Sequence, residues 1–251
     1  MIKAILCDLD GVIYSGGQLI PGIKRGIQAI REKNLPLRFI SNTSTKNLSE
    51  IREQLIGFGF DVDQNELITP VSLAYDFLKA NNQTALPIVR DSLKPFFKVV
   101  SNHNHPDWIL IGDIGQKWSN KLLNELLTYL EKGAEILAMH KNAYALFEGK
   151  KVLDIGSFIA ALEYAANKKA TVIGKPSLEF FRLAIAGFDV ESVQQILMIG
   201  DDPIADITGA QRAGLTTMFV ESGKSSIEDL EGYKIKPDFI FKSLADIISI
   251  I

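Results

Sequence analysis

Two carboxylates, Asp8 and Asp10, stand two residues apart where an apolar run, Ile2-Lys3-Ala4-Ile5-Leu6-Cys7, breaks into Asp8-Leu9-Asp10-Gly11-Val12. Neighbouring carboxylates repel each other, so such a pair is costly unless one is protonated or a cation lies between them. Three later segments carry residues of complementary type. Ser41-Asn42-Thr43 offers donors suited to phosphate oxygens, beside the amides that open the next helix. Lys175, in Gly174-Lys175-Pro176, can neutralise the same group as a point charge. Gly200-Asp201-Asp202, with Asp206 one turn further on, adds hard oxygens of the kind Mg2+ takes together with waters and substrate phosphate. Together these are the parts of a cation-plus-phosphate site.

Each part also has an ordinary structural reading. Asp-x-Asp-Gly ends strands and opens turns, Ser41-Asn42 caps a helix, and Lys175 is a solvated loop lysine. Asp201-Asp202-Pro203 is a turn, with Asp206 exposed beyond it. Under those readings the order of the four segments, and their shared place at strand ends, is coincidence.

The elements that must position them follow from hydrophobic patterning. Apolar runs predict strands at 2–7, 35–40, 170–173, 196–199, 216–220 and 239–241. Between them helical spacing recurs: Ile23, Ile27 and Ile30 after Pro21-Gly22, then Leu48, Ile51 and Leu55 before Gly57 and Gly59. Helices are also expected over about 178–186 and from Ile204 through Ile207 and Ala210 to Gly214. This alternation argues for an α/β fold with a parallel sheet, whose ligands gather beyond the carboxyl ends of the strands. Four strands of that expected core lead into the four chemical segments. A middle block has strands at 86–89, 108–111 and 134–138 and helices at 122–130 and 158–166, enough for a core of its own. The expected division is a core of 1–70 plus 172–251, with 71–171 inserted.

Composition narrows the class further. At 251 residues, 47% hydrophobic and 23% charged, the chain reads as a soluble globular protein. A formal net charge of -3 gives no support for a nucleic-acid or anionic-membrane partner. No apolar run is long enough to span a bilayer, and Asp8 interrupts the N-terminal one too early for a signal peptide. A single cysteine, Cys7, excludes an intramolecular disulfide and fits a reducing compartment, so a cytoplasmic protein is expected.

With the four motifs in this order, the sequence resembles the haloacid dehalogenase superfamily of phosphatases. Its inserted block lies between the second and third motifs, as in the NagD-like branch with a C2-type cap. The segments Asp154-Ile155-Gly156, Ala160-Ala161-Leu162-Glu163-Tyr164-Ala165 and Gly209-Ala210-Gln211 narrow the likeness within that branch. The resemblance implies a Rossmann-like parallel-sheet core with an α/β cap, and a Mg2+-dependent phosphatase acting on a small phosphorylated molecule. It implies that Asp8 is the nucleophile and Asp10 the acid and base. Mg2+ would be held by Asp8, the Asp10 carbonyl and Asp201. Ser41, Asn42 and Lys175 would bind phosphate, with Asp202 and Asp206 in support. A cap of this type also implies substrate contacts, for which His140, Asn142 and Asp154-Ile155-Gly156 are candidates, and a contribution to a homodimer. For His140 and Gly156 the favoured reading is structural, a strand end and a helix start; Trp108 and Trp118 are expected in a core or interface. Two alternatives keep the same residues: a phosphotransferase passing the aspartyl-phosphate to another acceptor, and an inactive scaffold of the same fold.

Overall fold

The computed structural model describes residues 1–147 and 150–251. By contact the chain forms two compact units, Met1–Ser41 with Arg52–Ile68 and Lys175–Ile251, and Asn42–Ile51 with Thr69–Gly174. The N-terminal strands are β1 (Ala4–Asp8), β2 (Tyr14–Ser15), β3 (Gln18–Leu19), β4 (Leu37–Ile40) and β5 (Leu67–Ile68). The middle of the chain supplies β6 (Ala85–Ile88), β7 (Trp108–Ile111), β8 (Glu135–Ala138), β9 (Tyr144–Phe147), β10 (Lys150–Leu153) and β11 (Thr171–Val172). The last strands are β12 (Ile196–Gly200), β13 (Thr216–Val220) and β14 (Phe239–Phe241).

The first unit is built on a six-stranded sheet in the order β14-β13-β12-β1-β4-β5, parallel at every pairing. Central strands of such sheets are covered on both faces, which is why β1 and β12 read as unbroken apolar runs and are buried along their length. Register then aligns the strand ends: Asp8 sits opposite Ile40, and Cys7 opposite Ile199. Ser41 and Asp201, each following its strand, therefore emerge on the same edge as Asp8. The helix Ile23–Glu32 buries Ile23, Ile27 and Ile30, the stripe expected from their spacing. The helix expected from Ile204 to Gly214 takes another form. Residues Pro203–Thr208 make a wide π-type turn, in which Ile207 N–H donates to the Asp202 carbonyl at 3.2 Å, before a short α-helix at Gly209–Arg212.

The second unit carries a four-stranded parallel sheet, β11-β8-β7-β6, and the antiparallel hairpin β9–β10. Helices Asn120–Glu131 and Ile155–Ala166 bury Leu126, Leu130, Ile159 and Leu162 against Ile109 and Ile136 of that sheet. One expected core strand is misassigned: Thr171–Val172 pairs with Leu137 and Ala138 of β8, so it closes the inserted sheet instead of extending the main one. A strand of two residues carries no information about its partner. The helix Pro70–Ala80 was not foreseen, although Thr69 caps it and Pro70 occupies its first turn. Trp118 stacks on Phe158 at 4.4 Å between ring centres, and Trp108 meets Phe77 edge-on at 5.5 Å, both as packing residues. His140 lies buried just past β8 with Nε2 3.3 Å from Ser44 Oγ. Gly156 falls in the first turn of the helix that Asp154 caps. Among the described residues no helix is long and apolar enough to cross a membrane.

Glu163 ties this unit's last helix to both of its flanking segments. It takes Lys141 Nζ at 2.6 Å and Ala170 N–H at 2.9 Å. Burial alone would raise its carboxyl, but the Ala170 amide and Lys141 outweigh that and hold it below the ordinary value. A depressed carboxyl stabilises the fold above its unfolded value and loses that contribution as pH falls through the folded one. Glu163→Gln should therefore cost about 1 kcal/mol in urea unfolding near neutral pH, and the difference from the parent should shrink on acidification. A gap that stays constant with pH would contradict the assignment.

Candidate active site

Lys175 is buried, and its ammonium reaches two buried carboxylates, Asp8 Oδ1 at 2.8 Å and Asp206 Oδ1 at 2.6 Å. Asp206 lies in the wide turn after β12, and its Oδ2 accepts the Asp202 amide at 3.1 Å. π-type turns of this kind are concentrated at functional sites. Asp8 Oδ1 also accepts the Leu9 amide at 2.8 Å. Asp201 enters from the end of β12, and its Oδ2 accepts the Lys224 amide at 2.8 Å. Carboxylate oxygens of Asp8, Asp201 and Asp206 all lie within 4.8 Å of one another.

Such crowding shows in the titration behaviour. Burial raises Asp8, with Lys175 opposing and Asp201 adding to the rise. Asp206 is pushed up to about 7 by burial and then by Asp8, against the pull of Lys175. Burial and Asp206 lift Asp201 to about 6. Lys175 behaves oppositely: burial would favour its neutral form, but Asp206 and Asp8 outweigh it and hold the ammonium charged. Three carboxylates facing one buried lysine leave negative charge uncompensated, which is the environment that attracts a cation.

The donor set fits a hard divalent ion such as Mg2+, which takes carboxylate oxygens. Asp206 uses both oxygens on Lys175 and the Asp202 amide, whereas Asp8 and Asp201 each engage only one in the bonds described above. Asp8 and Asp201 are thus the better placed pair. Asp202 is turned away from the cluster. Its Oδ1 accepts the amides of Ile204 and Ala205, both at 2.8 Å, and its Oδ2 binds Lys224 Nζ at 2.7 Å. Burial would raise this carboxyl, but Lys224 and the turn amides hold it below the ordinary range.

Ser41 is buried at the end of β4, its amide donating to the Ile68 carbonyl at 3.1 Å. Asp10 is exposed just past β1 and bridges to Tyr14 in the hairpin that follows. Asn42 groups by contact with the second unit, where its Oδ1 lies beside Gly174. Among the described residues, Asp8, Lys175, Asp201 and Asp206 are brought into direct proximity. Ser222, Gly223 and Lys224, which contact Gly11, Asp201 and Asp202, were not singled out from the sequence. Their signal was present: a polar Ser-Gly-Lys-Ser-Ser run shortly after the apolar strand 216–220, like the breaks after the other strands.

Removing the lysine charge should expose the cost of this arrangement. Lys175→Met leaves two buried carboxylates without their cation, a loss of about 3–5 kcal/mol for a broken buried pair. Such carboxyls have raised values in the fold, so they take up protons on folding and the variant regains stability as pH falls. Chemical denaturation at alkaline and mildly acid pH measures this; a pH-independent loss would count against it.

The profile of the haloacid dehalogenase-like hydrolases matches residues 5–101, and that of the HAD-hydrolase-like family matches residues 172–247. The human phospholysine phosphohistidine inorganic pyrophosphate phosphatase is 32% identical to this chain over all of it and 94% of the human protein. Bovine haloacid dehalogenase-like hydrolase domain-containing protein 2 is 32% identical over 94% of this chain and 90% of its own. Among solved structures, p-nitrophenyl phosphatase from Archaeoglobus fulgidus aligns with a TM-score of 0.92 at 22% identity, covering 100% of this chain and 99% of that one. The 4-nitrophenylphosphatase from Thermotoga maritima aligns at 0.90 with 25% identity, covering 99% and 97%. With its acidic cluster and lysine at the ends of a parallel sheet, the chain belongs to the haloacid dehalogenase-like hydrolases and is a phosphatase of that family.

Proposed function

We propose that this phosphatase is Mg2+-dependent and hydrolyses a small phosphorylated metabolite through an aspartyl-phosphate on Asp8. A phosphomonoester, a pyrophosphate or a phospho-amine would each suit the chemistry. The observation that carries the reading is the buried Asp8 carboxylate at the end of β1, 2.8 Å from Lys175 Nζ and clustered with Asp201 and Asp206. In the first step an Asp8 oxygen bonds to phosphorus as the bond to the leaving oxygen breaks, and Asp10 gives that oxygen its proton. In the second step Asp10 takes a proton from water as the water oxygen attacks phosphorus, releasing phosphate and restoring Asp8. Two displacements replace one harder one, and an exposed acid two residues from the nucleophile can serve both.

Ser41 and Asn42 bind the transferring oxygens in this proposal, and Lys175 balances charge on the phosphate and on Asp8. Asp206 orients Lys175. Mg2+, when held by Asp8, Asp201 and the Asp10 carbonyl, supplies positive charge that offsets the repulsion between nucleophile and phosphate. The unit that carries the acidic cluster performs the chemistry, and the inserted unit, to whose sheet Thr171–Val172 belongs, selects the substrate. A cytoplasmic location and a homodimer complete the proposal, supported by the lone buried Cys7 and by the family likeness.

A panel of phosphorylated metabolites with p-nitrophenyl phosphate, assayed with and without Mg2+, tests the reading; no phosphate release from any of them would overturn it. Asp8→Asn should lower kcat by at least about 10³-fold while its melting temperature stays near that of the parent. Full turnover in that variant would remove Asp8 from the nucleophile's role. Protons and a cation would compete for Asp201, whose carboxyl burial and Asp206 push up to about 6. The Mg2+ concentration for half-maximal activity should therefore rise as pH is lowered from about 8 to about 6. A flat requirement across that range would argue against metal binding at this cluster.

A further inference from the structure

Asp201 is not merely adjacent to the acidic cluster; its carboxylate is wedged between two glycine backbones. Gly11, in the turn after Asp10, has φ +89°, and a Cβ built there would lie 2.5 Å from Asp201 Oδ2. On another side the chain leaving β13 passes over the same group at Ser222-Gly223-Lys224. Gly223 is not among the positive-φ residues, so its backbone conformation does not call for glycine. Space does. A Cβ at Gly223 would stand 2.1 Å from Asp201 Oδ2 and 2.3 Å from its Cγ, well inside contact distance.

Three bonds fix that segment in place. Lys224 N–H donates to Asp201 Oδ2 at 2.8 Å, Ser222 Oγ donates to the Gly11 carbonyl at 2.8 Å, and Lys224 Nζ binds Asp202 Oδ2 at 2.7 Å. The first bond and the two glycines hold the carboxylate in one orientation. The second joins this loop to the turn that follows Asp10. The third keeps Asp202 on the start of the wide turn.

We propose that Ser222-Gly223-Lys224 is the positioning element of the cation site, holding Asp201 by Oδ2 so that Oδ1 is the oxygen offered to the cation. The contacts described above act on Asp201 and on the backbone and side chain beside it. A ligand held in its bound orientation loses less freedom on binding, which is how outer-shell contacts of this kind raise metal affinity. The inference rests on Asp201 being a cation ligand.

Gly223→Ala, Ser222→Ala and Ser222→Thr test it in the full-length protein. Mg2+ binding to the metal-free protein is measured by calorimetric titration and by the Mg2+-induced rise in Tm. In parallel, kcat and KM for p-nitrophenyl phosphate are measured at saturating Mg2+. Gly223→Ala should weaken Mg2+ by about 10-fold or more with KM at saturating metal nearly unchanged. Ser222→Ala should weaken it less, and Ser222→Thr, which keeps the hydroxyl, should restore it. Parental Mg2+ affinity in Gly223→Ala, or a loss confined to KM, overturns the proposal. If Gly223→Ala does not fold, the Ser222 pair decides, and equal Mg2+ affinity in Ser222→Ala and the parent overturns it. A parent protein that neither binds Mg2+ nor needs it would instead defeat the reading of Asp201 as a ligand.

Discussion

The site depends on one buried ammonium shared between two buried carboxylates. Lys175 Nζ lies within 2.8 Å of Asp8 and 2.6 Å of Asp206, in a pocket where burial alone would drive all three groups to their neutral forms. Each charge is tolerable only because the others are present. This coupling joins the end of β1, the turn after β12 and the point where the chain re-enters the first unit. A displacement of any one of these would leave an unpaired charge in the interior.

The same coupling explains the divided fates of three aspartates within six residues. Asp201 and Asp202 are consecutive, yet one carboxylate joins the cluster and the other accepts two turn amides and Lys224. A standard helical turn would have fixed the facing of the next carboxylate by ordinary helical spacing. The wide π-type turn instead returns Asp206 to Lys175 while its second oxygen accepts the Asp202 amide. Negative charge gathered in this way is held by protein cations on two sides, Lys175 within the cluster and Lys224 at its margin. The remaining imbalance suits a divalent ion, while burial first and neighbouring carboxylates second displace Asp201 and Asp206 upward.

Much of this was legible in one dimension because parallel-sheet strands are buried on both faces and announce themselves as apolar runs. The runs at 2–7 and 196–199 located β1 and β12, and the polar break after each located Asp8, Asp10, Asp201 and Asp202. Other features left weaker traces. Thr171–Val172 reads as a strand, but two residues cannot say which sheet they will join, and it pairs with β8. The apolar spacing of Ile204, Ile207 and Ala210 is compatible with an α-helix, and only the packing of Asp206 against Lys175 distinguishes the wider turn. Ser222-Gly223-Lys224 resembles any polar loop until Asp201 is seen lying against it.

The sequence by itself determined the kinds of chemistry available: which strands end in carboxylates, which in donors, and that a lysine follows the inserted block. These are properties of residue type and local order, which burial periodicity and strand-end position transmit without knowledge of neighbours. Tertiary structure decided the pairings. It brought Lys175 to Asp8 and Asp206, turned Asp202 away, and pressed Gly11 and Gly223 against Asp201. Such contacts join residues up to 211 positions apart, as Ser222 to Gly11 does. Their geometry is set by sheet register and backbone clearance, which no local pattern of residues encodes.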